Sequence, residues 1–98
     1  MIFIIDIDNT ICITKKSDYN SSIPIMSRIQ QINKLYDYGN TIIYWTARGS
    51  NSGKDWTDFT IKQLDNWGCK RHSIRMNKPV YDYWIDDKSI ILSEFFDD

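Results

Sequence analysis

Short apolar runs alternate with amphipathic stretches along this chain, and that alternation predicts a fold class before any residue is given a role. Residues 2 to 7 are apolar and rich in Ile except at Asp6. Such a run, without a polar position at every second residue, reads as a strand buried on both faces, as in parallel sheets. Thr41-Ile42-Ile43-Tyr44-Trp45 is a second run of this kind and ends at Thr46. Between them, Pro24 suits the first turn of a helix, Ile25, Ile29, Ile32 and Leu35 or Tyr36 recur at helical spacing, and Gly39 supplies a stop, which predicts a helix over 24–38. Trp56, Phe59, Thr60, Gln63, Leu64 and Trp67 form the stripe of a second helix ended by Gly68. A short third strand is predicted at 73–76, a turn at Asn77-Lys78-Pro79, a fourth strand at Tyr83-Trp84-Ile85, and a short helix at 92–96. The polar stretches 11–22 and 48–53 read as loops, the first with room for a small hairpin.

Strand, helix, strand, helix, strand, strand implies right-handed crossovers. The expectation is one α/β domain over 1–98, a Rossmann-like, three-layer open parallel sheet with helices on both faces. Ligands of such sheets lie beyond the C-terminal strand ends.

Composition narrows the function classes. Twelve Lys and Arg against thirteen Asp and Glu leave a net charge of -1, so no basic field exists to grip nucleic acid or anionic lipid. Two cysteines, Cys12 and Cys69, are far apart, and His72 is the sole histidine. Zinc, haem and Ser/His/Asp chemistry are therefore disfavoured, and both cysteines read as small core residues. The N-terminal apolar run is too short for a signal peptide or a membrane span, so a cytoplasmic protein is expected.

All thirteen acids except Glu94 are Asp, and their positions matter. Asp6 and Asp8 follow the first predicted strand, Thr46 the second, Lys78 the third, and Asp86 with Asp87 the fourth. If the first and fourth strands are neighbours, their carboxylates converge on one oxygen-rich pocket. Oxygen ligands without His or Cys favour Mg²⁺.

The ordered set Ile5-Asp6-Ile7-Asp8-Asn9-Thr10, Trp45-Thr46-Ala47-Arg48, Asn77-Lys78-Pro79 and Trp84-Ile85-Asp86-Asp87 resembles the four motifs of the haloacid dehalogenase superfamily, specifically its phosphatases, which carry the second aspartate of the first motif. The resemblance implies a phosphomonoester hydrolase of the same Rossmann-like fold. Asp6 would be the nucleophile that forms an aspartyl-phosphate, and Asp8 the general acid and base, with its backbone carbonyl on Mg²⁺. Asn9, Thr46 and Lys78 would cage the phosphoryl oxygens, with Ala47 and Arg48 beside them, and Thr10 would brace the loop. Asp6, Asp8, Asp86 and Asp87 form the implied metal set. Two roles stay open for Arg48: binding a second substrate group or pairing with Asp87. Asn77 stands where a glycine commonly precedes the family's lysine.

Residues 11–40 and 49–77 are used up by the core elements, so the family's cap module has no room and the site should be open. That suits a phosphorylated small molecule, a phosphorylated polymer end, or a homo-oligomer in which a neighbour covers the site. The closing stretch Ile85-Asp86-Asp87-Lys88-Ser89-Ile90, with Ser93-Glu94-Phe95 beyond it, looks like the small phosphatases of capsular polysaccharide biosynthesis, which points to a sugar phosphate or polysaccharide intermediate. Alternatives are a polynucleotide or nucleotide phosphatase with the same chemistry, or a non-catalytic phosphoacceptor domain. Signalling receivers carry the acceptor Asp on the third strand, and here no Asp lies between Cys69 and Val80.

Overall fold

The computed structural model describes residues 1–98. Its elements are β1 (Ile2–Ile5), β2 (Cys12–Ile13), a single 3-10 turn (Tyr19–Ser21), β3 (Ile23–Pro24), α1 (Met26–Asp37), β4 (Thr41–Trp45), α2 (Thr57–Asn66), β5 (Ser73–Arg75) and α3 (Leu92–Phe95). β4 and both long helices lie where the apolar runs and periodicity put them, while β1 ends at Ile5 rather than at residue 7. Pro24 is a difference: it pairs with Cys12 in the β2–β3 hairpin, so α1 begins two residues later than expected. Both helices end as their glycines predict. Gly39 and Asn40 donate to the carbonyls of Tyr36 and Leu35, and Gly68 and Cys69 donate to those of Asp65 and Leu64, the paired bonds of a Schellman stop.

The main sheet is parallel, with order β1-β4-β5. The register pairs Ile5 with Tyr44 and Trp45 with Arg75. Strand ends that carry Asp6, Thr46 and Met76 therefore emerge at one edge of the molecule. Both crossovers step the same way across the sheet, so right-handed connections lay both helices on the same face. The packing agrees: Ile29 and Ile32 of α1 and Leu64 of α2 share one core with Ile5, Ile42 and Tyr44. The C-terminal segment closes the same side, with the Phe95 ring 6.0 Å from Phe3, Phe96 buried, and the Phe95 carbonyl accepting from the Gln31 amide.

Two expectations are corrected. Helices do not cover both faces, because only a reversal of strand order would carry a crossover to the other side. The face of Ile2, Ile4, Ile43 and Trp45 has no helix over it. Residues 83–85 do not form a fourth strand. The Trp84 ring packs edge-on against Trp45 at 5.9 Å and Tyr81 at 5.1 Å, which holds the segment over the end of β4 instead of along the edge of β1. No helix is long and apolar enough to cross a membrane.

Candidate active site

Past Ile5, the chain leaves β4 and turns back on itself. Thr10 and Ile11 both donate to the Ile7 carbonyl, and Asn9 adopts φ 60, a left-handed conformation that Asn tolerates better than most residues. The Asn9 side-chain oxygen accepts from the Thr14 N–H at 3.0 Å. The turn leaves Asp6 at the mouth of a depression of ≈ 310 Å³ whose other walls are Ala47, Lys78, Pro79, Val80 and Tyr81.

Thr46 ties the three motif regions together. Its N–H donates to the Arg75 carbonyl of β5, its carbonyl accepts from the Lys78 N–H at 3.0 Å, and its buried hydroxyl accepts from the Arg48 N–H. Lys78 is thereby anchored at the end of β4. Asn77 before it has φ 63, the left-handed conformation that a glycine would supply, so the departure from glycine leaves the turn intact. Ser50 adds a hydroxyl to the Lys78 carbonyl at 2.8 Å.

The Lys78 ammonium stands 3.9 Å from an Asp6 oxygen and lies over the rings of Tyr81 and Trp84 at 5.3 and 5.7 Å. Burial pushes the Asp6 carboxyl above the usual carboxylate range, while the Lys78 charge and the Ile7 N–H work against that rise. Asp6 is a carboxylate partly stripped of water and held by one cation.

Asp8 is held differently. Arg48 grips it with two parallel bonds, Nε to one oxygen at 3.0 Å and Nη2 to the other at 2.9 Å, and Thr14 donates to the second oxygen at 2.7 Å. The guanidinium is itself enclosed, with 0% of its side chain exposed. It donates to Thr60 at 3.2 Å and stacks on the rings of Tyr19 and Phe59. Of the two roles open for Arg48, pairing with Asp87 is not what the contacts show, and its side chain is not among those lining the depression. Its partner is Asp8.

Asp86 and Asp87 are not brought to Asp6. They lie in an exposed turn, where Asp86 accepts from the Lys88 N–H and the Trp84 indole. Hydrogen bonding between the two carboxyls lowers Asp86 and raises Asp87. No group of three or more His, Cys, Asp or Glu side chains gathers closely enough to hold a metal ion. The expected four-aspartate cage is therefore absent from this arrangement, and the cause is the fourth strand that does not pair with β1.

Sequence reasoning missed Thr14, Tyr19 and Thr60 around the Arg48–Asp8 pair, and Arg28, which donates to the Thr10 carbonyl at 2.9 Å while pairing with Asp98. No pattern announces them, since each reaches its partner through tertiary contact. A larger depression of ≈ 510 Å³ lies at the far edge of the sheet beside Lys70, Arg71 and His72. Its cations are already paired, Lys70 with Asp37 and Arg71 with Asp65, and it contains no poised nucleophile.

No family model matches the chain, and no curated protein does. Among solved structures, the chain is similar to the crystal structure of an MCSG target from Vibrio cholerae. The match has 25% identity and a TM-score of 0.86, and spans 96% of this chain and 85% of that one. The chain is an α/β protein with a Rossmann-like parallel sheet flanked by helices.

Proposed function

We propose that this protein is a phosphomonoester hydrolase of the haloacid dehalogenase type, working through an aspartyl-phosphate on Asp6. The observation that carries the reading is the pairing of a half-exposed, desolvated Asp6 with the Lys78 ammonium at 3.9 Å, both opening onto one depression at the C-terminal end of a parallel sheet. An Asp6 oxygen attacks phosphorus, the P–O bond to the alcohol breaks, and the alcohol leaves with a proton. Water then attacks the acyl phosphate at phosphorus, regenerating the carboxylate and releasing inorganic phosphate. Lys78 attracts the phosphoryl oxygens and holds the attacking carboxylate in place.

The charge balance supports a divalent cation. Arg48 is neutralised by Asp8, and Lys78 faces Asp6, so the site has no surplus positive charge for a phosphate dianion. Mg²⁺ usually binds through one or two carboxylates together with substrate phosphate and water. Asp6 fits that donor set, with the Asp8 carbonyl as its neighbour on the same turn; Asp86 and Asp87 do not contribute in this arrangement. Bound there, Mg²⁺ would neutralise charge that develops on the phosphoryl oxygens.

Asp8 supplies and recovers the proton of the alcohol in this reading. As found, both its oxygens accept from Arg48 and Thr14, so the acid role requires a side-chain rotation out of that grip toward the depression. Arg48 and Thr14 then define its resting position.

The substrate class proposed is a sugar phosphate or phosphorylated polysaccharide intermediate, which an open depression without a lid accommodates. Purified protein should hydrolyse p-nitrophenyl phosphate with Mg²⁺, and Asp6→Asn should abolish turnover. Activity retained by Asp6→Asn would remove the covalent mechanism. A panel of sugar phosphates, nucleotides and a 3′-phosphorylated oligonucleotide separates the substrate classes.

A further inference from the structure

On the face of the sheet opposite the helices, the β1 side is apolar and bare, whereas Ile43 and Trp45 are half-buried and Trp84 of the same chain packs on Trp45. Ile2 is 70% and Ile4 57% exposed, and Ile43 and Trp45 share their side of the sheet by register. The outer edge of β1 pairs with no strand. The segment that follows Lys78 is equally unusual. Tyr83 is 88% and Ile85 95% exposed, and Val80, Ile90 and Ile91 are all more than half exposed. Isolated surface isoleucines need no explanation, but a contiguous apolar face does.

The surface area sets the scale of what is missing. A monomer of 11.7 kDa is expected to expose about 5,900 Å² by the size scaling of folded proteins. This chain exposes 6791 Å², an excess of roughly 900 Å², against the approximately 800 Å² that each partner buries in a standard interface.

We infer that this face is the interface of a two-fold symmetric homodimer, in which residues 80–91 of each copy lie across the β1 side of the other. A second copy is the occupant the observations favour for two reasons beyond the area. The surface carries both complementary parts, bare isoleucines on the β1 side of the sheet and a highly exposed segment with apolar side chains, as an isologous interface requires. Its charges are complementary in the same sense: Arg75, on β5 at the other edge of this face, has no acidic partner in its own chain, while Asp82, Asp86 and Asp87 outnumber Lys88 on the segment. The face ends at Trp45, next to Thr46, so a second copy seated on it also narrows the open side of the depression.

The test is sedimentation velocity and light scattering on the full chain over a concentration series, with circular dichroism to confirm folding. The wild-type protein should reach twice the chain mass. Ile85→Asp places a charge on a side chain that contacts almost nothing in its own chain, so it should fold normally and weaken association by roughly a hundredfold or more. Ile4→Asp should act in the same way from the other half of the interface. Tyr38→Asp, with the same new charge on an exposed residue past the end of α1, should leave the dimer intact. A wild-type monomer at every concentration overturns the inference, as does a dimer that Ile85→Asp does not weaken. A monomer that binds a hydrophobic dye until Ile4 and Ile85 are both charged would assign the face to a different partner and equally overturn it.

Discussion

Replacing Arg48 with Met removes the guanidinium while keeping most of its length, and the structure allows the consequence to be worked out. The wild-type side chain is fully enclosed and makes two bonds to Asp8 and one to Thr60. Without it, Asp8 keeps only the Thr14 hydroxyl as a strong donor, and a carboxylate with 22% of its side chain exposed is left beside an apolar side chain. Breaking an enclosed pair from one side costs about 3–5 kcal/mol; the partial exposure of Asp8 puts this case near the lower end, and the stranded Thr60 hydroxyl adds about 1 kcal/mol. A loss of about 3–4 kcal/mol is a large share of the roughly 5–15 kcal/mol that holds a domain of this size. Urea denaturation at neutral pH measures it, with Asp8→Asn and the double variant completing a cycle. Asp8→Asn alone strands the arginine. The double variant strands neither charge and should therefore be more stable than Arg48→Met alone, with a coupling of at least about 2 kcal/mol. A loss below about 1 kcal/mol for Arg48→Met, or a double variant that loses the sum of the two single effects, would refute the view that this pair is mutually dependent.

Asp6→Asn should abolish hydrolysis yet raise stability at neutral pH. Burial raises the folded-state pKa of Asp6, so its contribution to stability is present below its unfolded value and is lost as pH rises through the folded one. The neutral amide avoids that loss. Because 38% of the Asp6 side chain is exposed, solvent screening keeps the gain small, and it should vanish in acid; thermal melts against pH check this, and a destabilised Asp6→Asn protein would contradict it. Gly49→Ala should cost about 2–4 kcal/mol, since Gly49 has φ +81 and an added Cβ would lie 2.1 Å from the Lys54 carbonyl oxygen. The urea midpoint reads that cost, and turnover should fall with it as Arg48 is displaced. Chelation with EDTA should stop aryl phosphate hydrolysis and added Mg²⁺ restore it, whereas circular dichroism should be unchanged, because the core is a cluster of packed apolar side chains away from the depression.

Elements whose pattern is local were legible along the chain. Helical spacing located α1 and α2, Gly39 and Gly68 stopped them, and the β-branched run at 41–45 became the central strand without adjustment. The sequence also placed Asp6, Thr46 and Lys78 at the same edge of the sheet, because in a parallel sheet every strand ends on the same side. Partnership, in contrast, was settled by contacts between distant parts of the chain. A strand exists only against another strand, and residues 83–85 carry strand chemistry but are held elsewhere by Trp84 on Trp45, so Asp86 and Asp87 stay apart from Asp6. The handedness of two crossovers running in one direction put both helices on one face and left Ile2 and Ile4 bare, although a continuous apolar run looks the same in sequence whether one face or two are covered. Arg48 found Asp8 across forty residues through a contact that no spacing rule describes, because side-chain pairing depends on where the backbone has already been brought.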